Sequence, residues 1–286
     1  MSYGKHQSFY FRKSWASKGI RAVQSDNTTL LNADSYLSLG IGKNMQQSLR
    51  FWLEAFQIIR INGKIHEFTR FGKLVSNFDP GFNTTLTKTL LQFTVASGLP
   101  IDEKFSDSCD SIRWFFNKFK DNIFTKEECF YKLKQHANNI SENTLNRDIV
   151  CLLNGYTRKT PNSPEDRNIS PLADLGLVTK STVDSGIYYK TKVDNEFLSY
   201  DAIYFIMHLL SSNDVLTIDQ LAEQEGNIGK TFNMSRLQII EMVEKMIKEK
   251  FSLILTRTSG IDTIKLTEKV EDPYIFLEKA YKGVKL

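Results

Sequence analysis

Between Asn32 and Lys73 the spacing of apolar residues changes from helical to alternating, and that change limits the folds open to the chain. Ala33, Tyr36, Leu37 and Leu39 make a short amphipathic helix that stops at Gly40 and Gly42, residues able to adopt the positive φ of a tight turn. Asn44 is placed to cap the next helix. In it Met45, Leu49, Trp52, Leu53 and Phe56 fall at i, i+4, i+7, i+8 and i+11, on one buried stripe. Ile58 to Ile61 and Lys64 to Phe68 then alternate around Asn62-Gly63, a hairpin signature. Helix, glycine turn, helix and hairpin is the order of a winged helix-turn-helix, with Thr69 to Lys73 closing the wing.

The same grammar recurs twice. After the break at Asp79-Pro80-Gly81, an apolar helix carries Leu90, Leu91, Phe93 and Val95, and Ile112-Arg113-Trp114-Phe115-Phe116 reads as aromatic packing. Thr125 then caps a helix with Phe130 and Leu133, and Ser141 to Tyr156 places Leu145, Ile149, Leu152 and Leu153 inward. Leu175 to Tyr189 reads as a second wing turning at Asp184-Ser185-Gly186. In the third copy Tyr200 to Leu210 is a helix, Thr217 and Ser235 cap two more, and strands at Ser252–Arg257 and Thr263–Leu266 flank Ser259-Gly260. The expected class is mainly α with small β-hairpin wings, as tandem winged helix-turn-helix units. The expected division is a basic winged-helix domain at 1–80, a helical middle domain with a second such unit at 81–195, and a C-terminal winged-helix-like domain at 196–286. A chain of 286 residues with 41% hydrophobic and 24% charged side chains has the composition of a globular protein able to form such cores.

The charge is unevenly spread. Residues 1–73 hold eleven Lys and Arg against four Asp and Glu, net +7, while residues 74–286 are net −3. Attraction to phosphate depends on potential within about a Debye length, roughly 8 Å at physiological salt, so a local excess matters more than the total of +4. Arg12, Lys13, Lys43, Arg50, Lys64 and Arg70 are the expected phosphate contacts. Asn44, Gln46 and Gln47 are the expected amide readers of base edges in double-stranded DNA. Glu54 on the polar face opposes phosphate, and Phe51, placed near that face, favours a partner contact. Arg147, Arg158 and Lys159 read as ordinary surface charge. In the last unit Glu241, Glu244 and Glu249 alternate with Lys245, Lys248 and Lys250, which suits scaffolding or a homodimer surface better than a groove.

Enzyme signatures are missing from the sequence. No G-x-S-x-G elbow, H-E-x-x-H pair or dinucleotide fingerprint is present. Gly226-Asn227-Ile228-Gly229-Lys230-Thr231 mimics the end of a phosphate-binding loop, but its first glycine comes two residues too late and a helix, not a strand, precedes it. Cys109, Cys129 and Cys151 read as buried free thiols, and His6, His66, His136 and His208 have no ligand spacing, so no metal and no cofactor are expected. With neither an apolar span nor a signal core, the expected location is the cytoplasm.

Several segments together carry a family likeness: Phe11-Arg12-Lys13 with Trp15 and Lys18-Gly19; Leu39-Gly40-Ile41-Gly42-Lys43-Asn44-Met45 with Ser48-Leu49-Arg50-Phe51-Trp52; Asp79-Pro80; Leu145 with Arg147-Asp148; and Ser170-Pro171-Leu172 with Leu175-Gly176-Leu177. The chain thereby resembles a bacterial domain-of-unknown-function family whose members lie beside phosphoadenosine-phosphosulfate-reductase-like proteins in DNA phosphorothioation and defence loci. The resemblance implies a DNA-associated accessory role, with proteins of such a system as partners, and it assigns no catalytic residue. The combined expectation is a non-catalytic DNA-binding accessory protein that contacts the duplex through its first unit. The alternative is an adaptor that tethers a modification enzyme or an ATPase.

Overall fold

The computed structural model describes residues 2–102, 109–158, 169–211, 213–258 and 261–283. It is a mixed α/β structure, richer in sheet than the expected hairpin wings, with three small antiparallel sheets among its helices. No helix among the described residues is long and apolar enough to cross a membrane.

Helix α1 (Lys13–Ser25) has no counterpart in the expectations. Trp15, Ala16, Gly19, Ile20 and Val23 form its inner face, and it packs against α3 (Lys43–Ala55). Between them α2 (Ser35–Leu39) ends at Gly40, φ 61°. The α3 helix starts from Gly42 without a side-chain cap, so Asn44 lies inside its first turn and is not its cap. Strands β1 (Ile59–Asn62) and β2 (Ile65–Phe68) pair Asn62 with Ile65, which makes Gly63-Lys64 the two-residue loop, one position later than expected. Thr69 then opens a helix instead of closing a wing. Its hydroxyl accepts from the Gly72 amide at 2.8 Å and caps α4 (Arg70–Phe78). Gly72 sits on the backbone of Ile58, where an added Cβ would lie 1.8 Å from the carbonyl oxygen, so only glycine fits this crossing.

Helix α5 (Thr85–Ser97) is capped by Thr84 and buried on all sides, with eleven of its thirteen residues inside. A helix buried all round must satisfy its polar side chains within the protein. Gln92 does so twice: its Nε2 donates to the Thr231 carbonyl at 2.8 Å, and its Oε1 accepts from the Tyr156 hydroxyl at 2.6 Å. Thr89 Oγ1 accepts from the Ser199 amide at 3.1 Å, and Thr87 Oγ1 lies 2.9 Å from the Tyr281 hydroxyl.

Around this axle two segments repeat one element order. The first is α6 (Asp110–Asn117), β3 (Ile123–Thr125), α7 (Lys126–His136), α8 (Glu142–Tyr156), β4 (Val178–Lys180) and β5 (Ile187–Lys190), with sheet order β3-β5-β4. The second is α9 (Tyr200–Leu210), β6 (Val215–Thr217), α10 (Ile218–Glu223), α11 (Ile228–Thr231), α12 (Arg236–Lys248), β7 (Leu253–Thr258) and β8 (Ile261–Leu266), ordered β6-β8-β7. Thr125 with Glu128, Thr217 with Gln220 and Ser235 with Gln238 form capping boxes. The turn at Ser259-Gly260 and most of the polar loop after Arg158, with Lys159, lie outside the described residues. The segment that mimics a phosphate loop forms the single turn α11. An added Cβ on Gly229 would lie 2.4 Å from the Ala222 carbonyl oxygen, and Thr231 is buried with its hydroxyl donating to the Asn227 carbonyl at 2.6 Å. Helix α13 (Tyr274–Tyr281) returns to pack on α4 and α9.

The amino-terminal residues act as a strap. His6 Nε2 and the Gly4 amide both meet Asp148 Oδ1, at 2.8 and 2.9 Å, and the Phe9 carbonyl accepts from Trp52 Nε1 at 2.8 Å. All three cysteines are buried and free; burial raises the Cys109 and Cys129 thiols to about 12.

Two stability measurements test this account. Gln92→Ala leaves the Thr231 carbonyl and the Tyr156 hydroxyl without partners, and the urea midpoint should fall by the equivalent of about 2–4 kcal/mol with an unchanged denaturant slope. Lys190 is half-buried and donates to the Phe115 and Phe119 carbonyls at 3.1 and 2.9 Å; desolvation lowers its ammonium from 10.5 to about 8. Between those values the unfolded chain holds a proton that the folded one has released, so stability should rise with pH from 8 to 10.5, and Lys190→Met should flatten that rise in urea titrations.

Candidate nucleic-acid interface

The excess charge of the first quarter is left without carboxylate partners. Further along the chain acids outnumber bases, and some cations are paired: Lys88 with Asp174 at 2.6 Å, Lys134 with Glu142 at 2.7 Å, Arg257 with Glu244 at 2.6 Å, Arg236 with both Asp219 and Asp262, and Lys118 and Lys132 with Glu225 and Asp121. Among the described residues Arg12, Lys13, Lys18, Arg21, Lys43, Lys64 and Lys73 make no ion pair.

Helix α1 organises part of this set. The sequence Lys13 to Ser25 contains no acid, and with Trp15, Ile20 and Val23 turned inward its outer side presents Lys18 and Arg21. These two line a cavity of about 390 Å³ against α2, together with Ser25, Thr29 and Ser38 and with no carboxylate. Lys18 Nζ donates to the Leu39 carbonyl at 3.2 Å, which places it by the turn that leads to exposed Lys43. A second cleft, about 560 Å³, opens beside the end of α1, lined by Gln24, Asn27, Arg60, His66, Glu67 and Lys73 among others. Cations and hydroxyls around a carboxylate-free cavity suit a phosphate backbone. Lys18 and Arg21 are absent from the expected contacts; a helical projection of residues 13–25 was the signal that could have supplied them.

The α3 residues divide. Lys43 and Asn44 are exposed, and Gln47 and Arg50 are partly so, Arg50 Nε lying 3.8 Å from Glu54 Oε1. Gln46 is a correction. It is 3% exposed and donates its amide to the Leu30 carbonyl at 2.8 Å, so it cannot reach a base edge while the helix is folded. Phe51 and Glu54 are buried too, against the expectation of a polar face. Phe51 packs against His6 and Trp52, and Glu54 Oε1 lies 3.0 Å from His66 Nε2. Eight of the thirteen α3 residues are buried, which leaves an outward stripe narrower than the one expected.

The remaining contacts are scattered. Lys64 is exposed at the hairpin loop. Arg12 lies over the Tyr10 and Trp15 rings, 6.0 and 5.5 Å from the centroids, while Lys13 is half-buried with its amide on the Ile169 carbonyl at 3.2 Å. Arg70 is also corrected: it opens α4, donates to Asp272 at 2.5 Å and stacks over Tyr274 at 4.1 Å, joining α4 to the last helix instead of extending the hairpin. The Asp272 carboxylate raises the Arg70 guanidinium above its ordinary value, and Arg70 in turn lowers Asp272.

Fold and surface together define a mixed α/β protein with a basic, acid-poor amino-terminal face. The chain belongs to the family described as "Protein of unknown function (DUF4007)", whose model matches residues 3–281. No curated protein matches it. It is similar in fold to two solved structures described as "SspB crystal structure" and "Magnesium ion-bound SspB crystal structure". Each is 21% identical with a TM-score of 0.83, over 99% of this chain and 88% of the other.

Because Gln46 bonds inward, Gln46→Ala should lower the thermal midpoint by the equivalent of about 1–2 kcal/mol in the absence of any nucleic acid. An unchanged midpoint would remove the structural role assigned to that amide.

Proposed function

We propose that this protein is a DNA-contacting accessory component of a bacterial DNA modification or defence system of the phosphorothioation type, acting in the cytoplasm. The duplex backbone lies on the face formed by α1 and the start of α3. The observation that carries this reading is the net charge of +7 in residues 1–73, where seven cations make no ion pair among the described residues. The two repeated element orders, each with its first strand paired to the last strand of its hairpin, support reading the middle and C-terminal segments as tandem winged-helix units. The amino-terminal segment lacks that first strand and is the most divergent of the three.

A salt titration of duplex binding is the test. Each neutralised phosphate releases counterions, so affinity should fall steeply between low and physiological salt. Removing Lys18, Arg21 and Lys43 together should weaken binding at least about tenfold and make the slope of log affinity against log salt shallower by about 3. Binding that ignores both salt and these substitutions sinks the reading.

The adaptor reading rests on the C-terminal sheet, where Val215 and Ile254 are exposed and both pair with Lys265 across the register, and Ile261 is exposed beyond them. Partner capture at high salt without DNA affinity selects it. A magnesium-bound relative adds one further arm, because the expected role is non-catalytic. No three His, Cys, Asp or Glu side chains converge as a metal site among the described residues, and duplex cleavage that depends on added magnesium would replace the accessory role with a catalytic one.

A further inference from the structure

The cleft between the end of α1, the β1–β2 hairpin and α4 is built differently from the rest of the basic face, because an incompletely bonded histidine lies beneath it. His66 is 1% exposed; its Nε2 meets Glu54 Oε1 at 3.0 Å, its backbone amide donates to the Asn27 carbonyl at 2.8 Å, and its Nδ1 has no partner. Buried ring nitrogens are ordinarily bonded, and the residue that carries this open one is among those that line the cleft.

The charged groups around the ring are Glu54 from α3, Arg60 and Glu67 from the hairpin and Lys73 from α4, with Arg50 behind Glu54. Glu67 is already engaged, by Arg60 at 3.4 Å and by the Asn62 amide at 2.9 Å, whereas Lys73 makes no ion pair among the described residues. Gln24 and Asn27 stand exposed at the same rim. Guanidinium, ammonium and amide groups about one cavity form a donor set for a tetrahedral oxyanion.

We propose that this cleft binds a single phosphate group on Arg60 and Lys73, with His66 beneath it. The inference builds on the DNA reading by naming where one backbone phosphate docks, yet the chemistry is the same for free phosphate or a phosphorylated small molecule.

The probes are inorganic phosphate and a short duplex, each added to the full chain with carbon-13-labelled histidine rings, reading the His66 ring resonances. Those resonances are assigned from His66→Gln, or by difference from variants of His6, His136 and His208 if His66→Gln does not fold. Phosphate should shift the His66 signal saturably, and Arg60→Ala with Lys73→Ala should weaken that response about tenfold. If the duplex displaces phosphate, or shifts the signal by itself, the group is a backbone phosphate. If phosphate acts and the duplex neither competes nor binds, the cleft stands as a site for free or small-molecule phosphate and the DNA reading falls alone. If neither probe moves the signal while salt-dependent duplex binding persists, or if the shift survives the double substitution, the cleft proposal is overturned and the DNA reading is untouched.

Discussion

The buried amide of Gln92 is the interaction on which the arrangement of the molecule most depends. One side chain on a helix without a solvent face bonds to Tyr156 in α8 and to the end of α11, so a single residue of α5 touches both repeated segments. A polar group in such a place costs free energy unless both ends are satisfied, and once satisfied it favours one relative placement of the segments over near alternatives that hydrophobic packing alone would tolerate. Thr87 and Thr89 extend the same logic to α13 and to the residue that caps α9.

A separation of charge is laid over that frame. The later segments carry more acids than bases, and where exposed cations and carboxylates pair there they contribute little stability and cancel the outward field. The amino-terminal face keeps its field because α1 contains no acid and because Glu54, the acid nearest its centre, is turned inward to His66.

Much of the helical scaffold was legible from local signals. Thr125, Thr217 and Ser235 cap the helices expected of them, and Leu145, Ile149, Leu152 and Leu153 are buried as their spacing requires. Strands β3 and β6 were not legible, since each is three residues long and is defined only by pairing with a strand far along the chain. The inward turn of Gln46, Phe51 and Glu54 was hidden for a related reason. Periodicity marks the stripe that faces the main core, but α3 is also covered by the strap and the hairpin, and a second covered side leaves no local trace. The basic character of the interface was readable from composition, whereas Lys18 and Arg21 depended on recognising α1, whose apolar face is interrupted by Gly19.

The return of the last helix shapes how the molecule meets anything that touches it. Tyr281 reaches α5, Tyr274 donates to the Ile101 carbonyl at 2.8 Å, and Arg70 grips Asp272, so the last helix is held against α4, α5 and the residues just after α5. These contacts tie the last helix to α4, α5 and Ile101 at three separate points. Under the duplex contact proposed above, curvature that follows this surface would come from the polymer, and stiffness along its own sequence would then be a source of selectivity even where no base is touched.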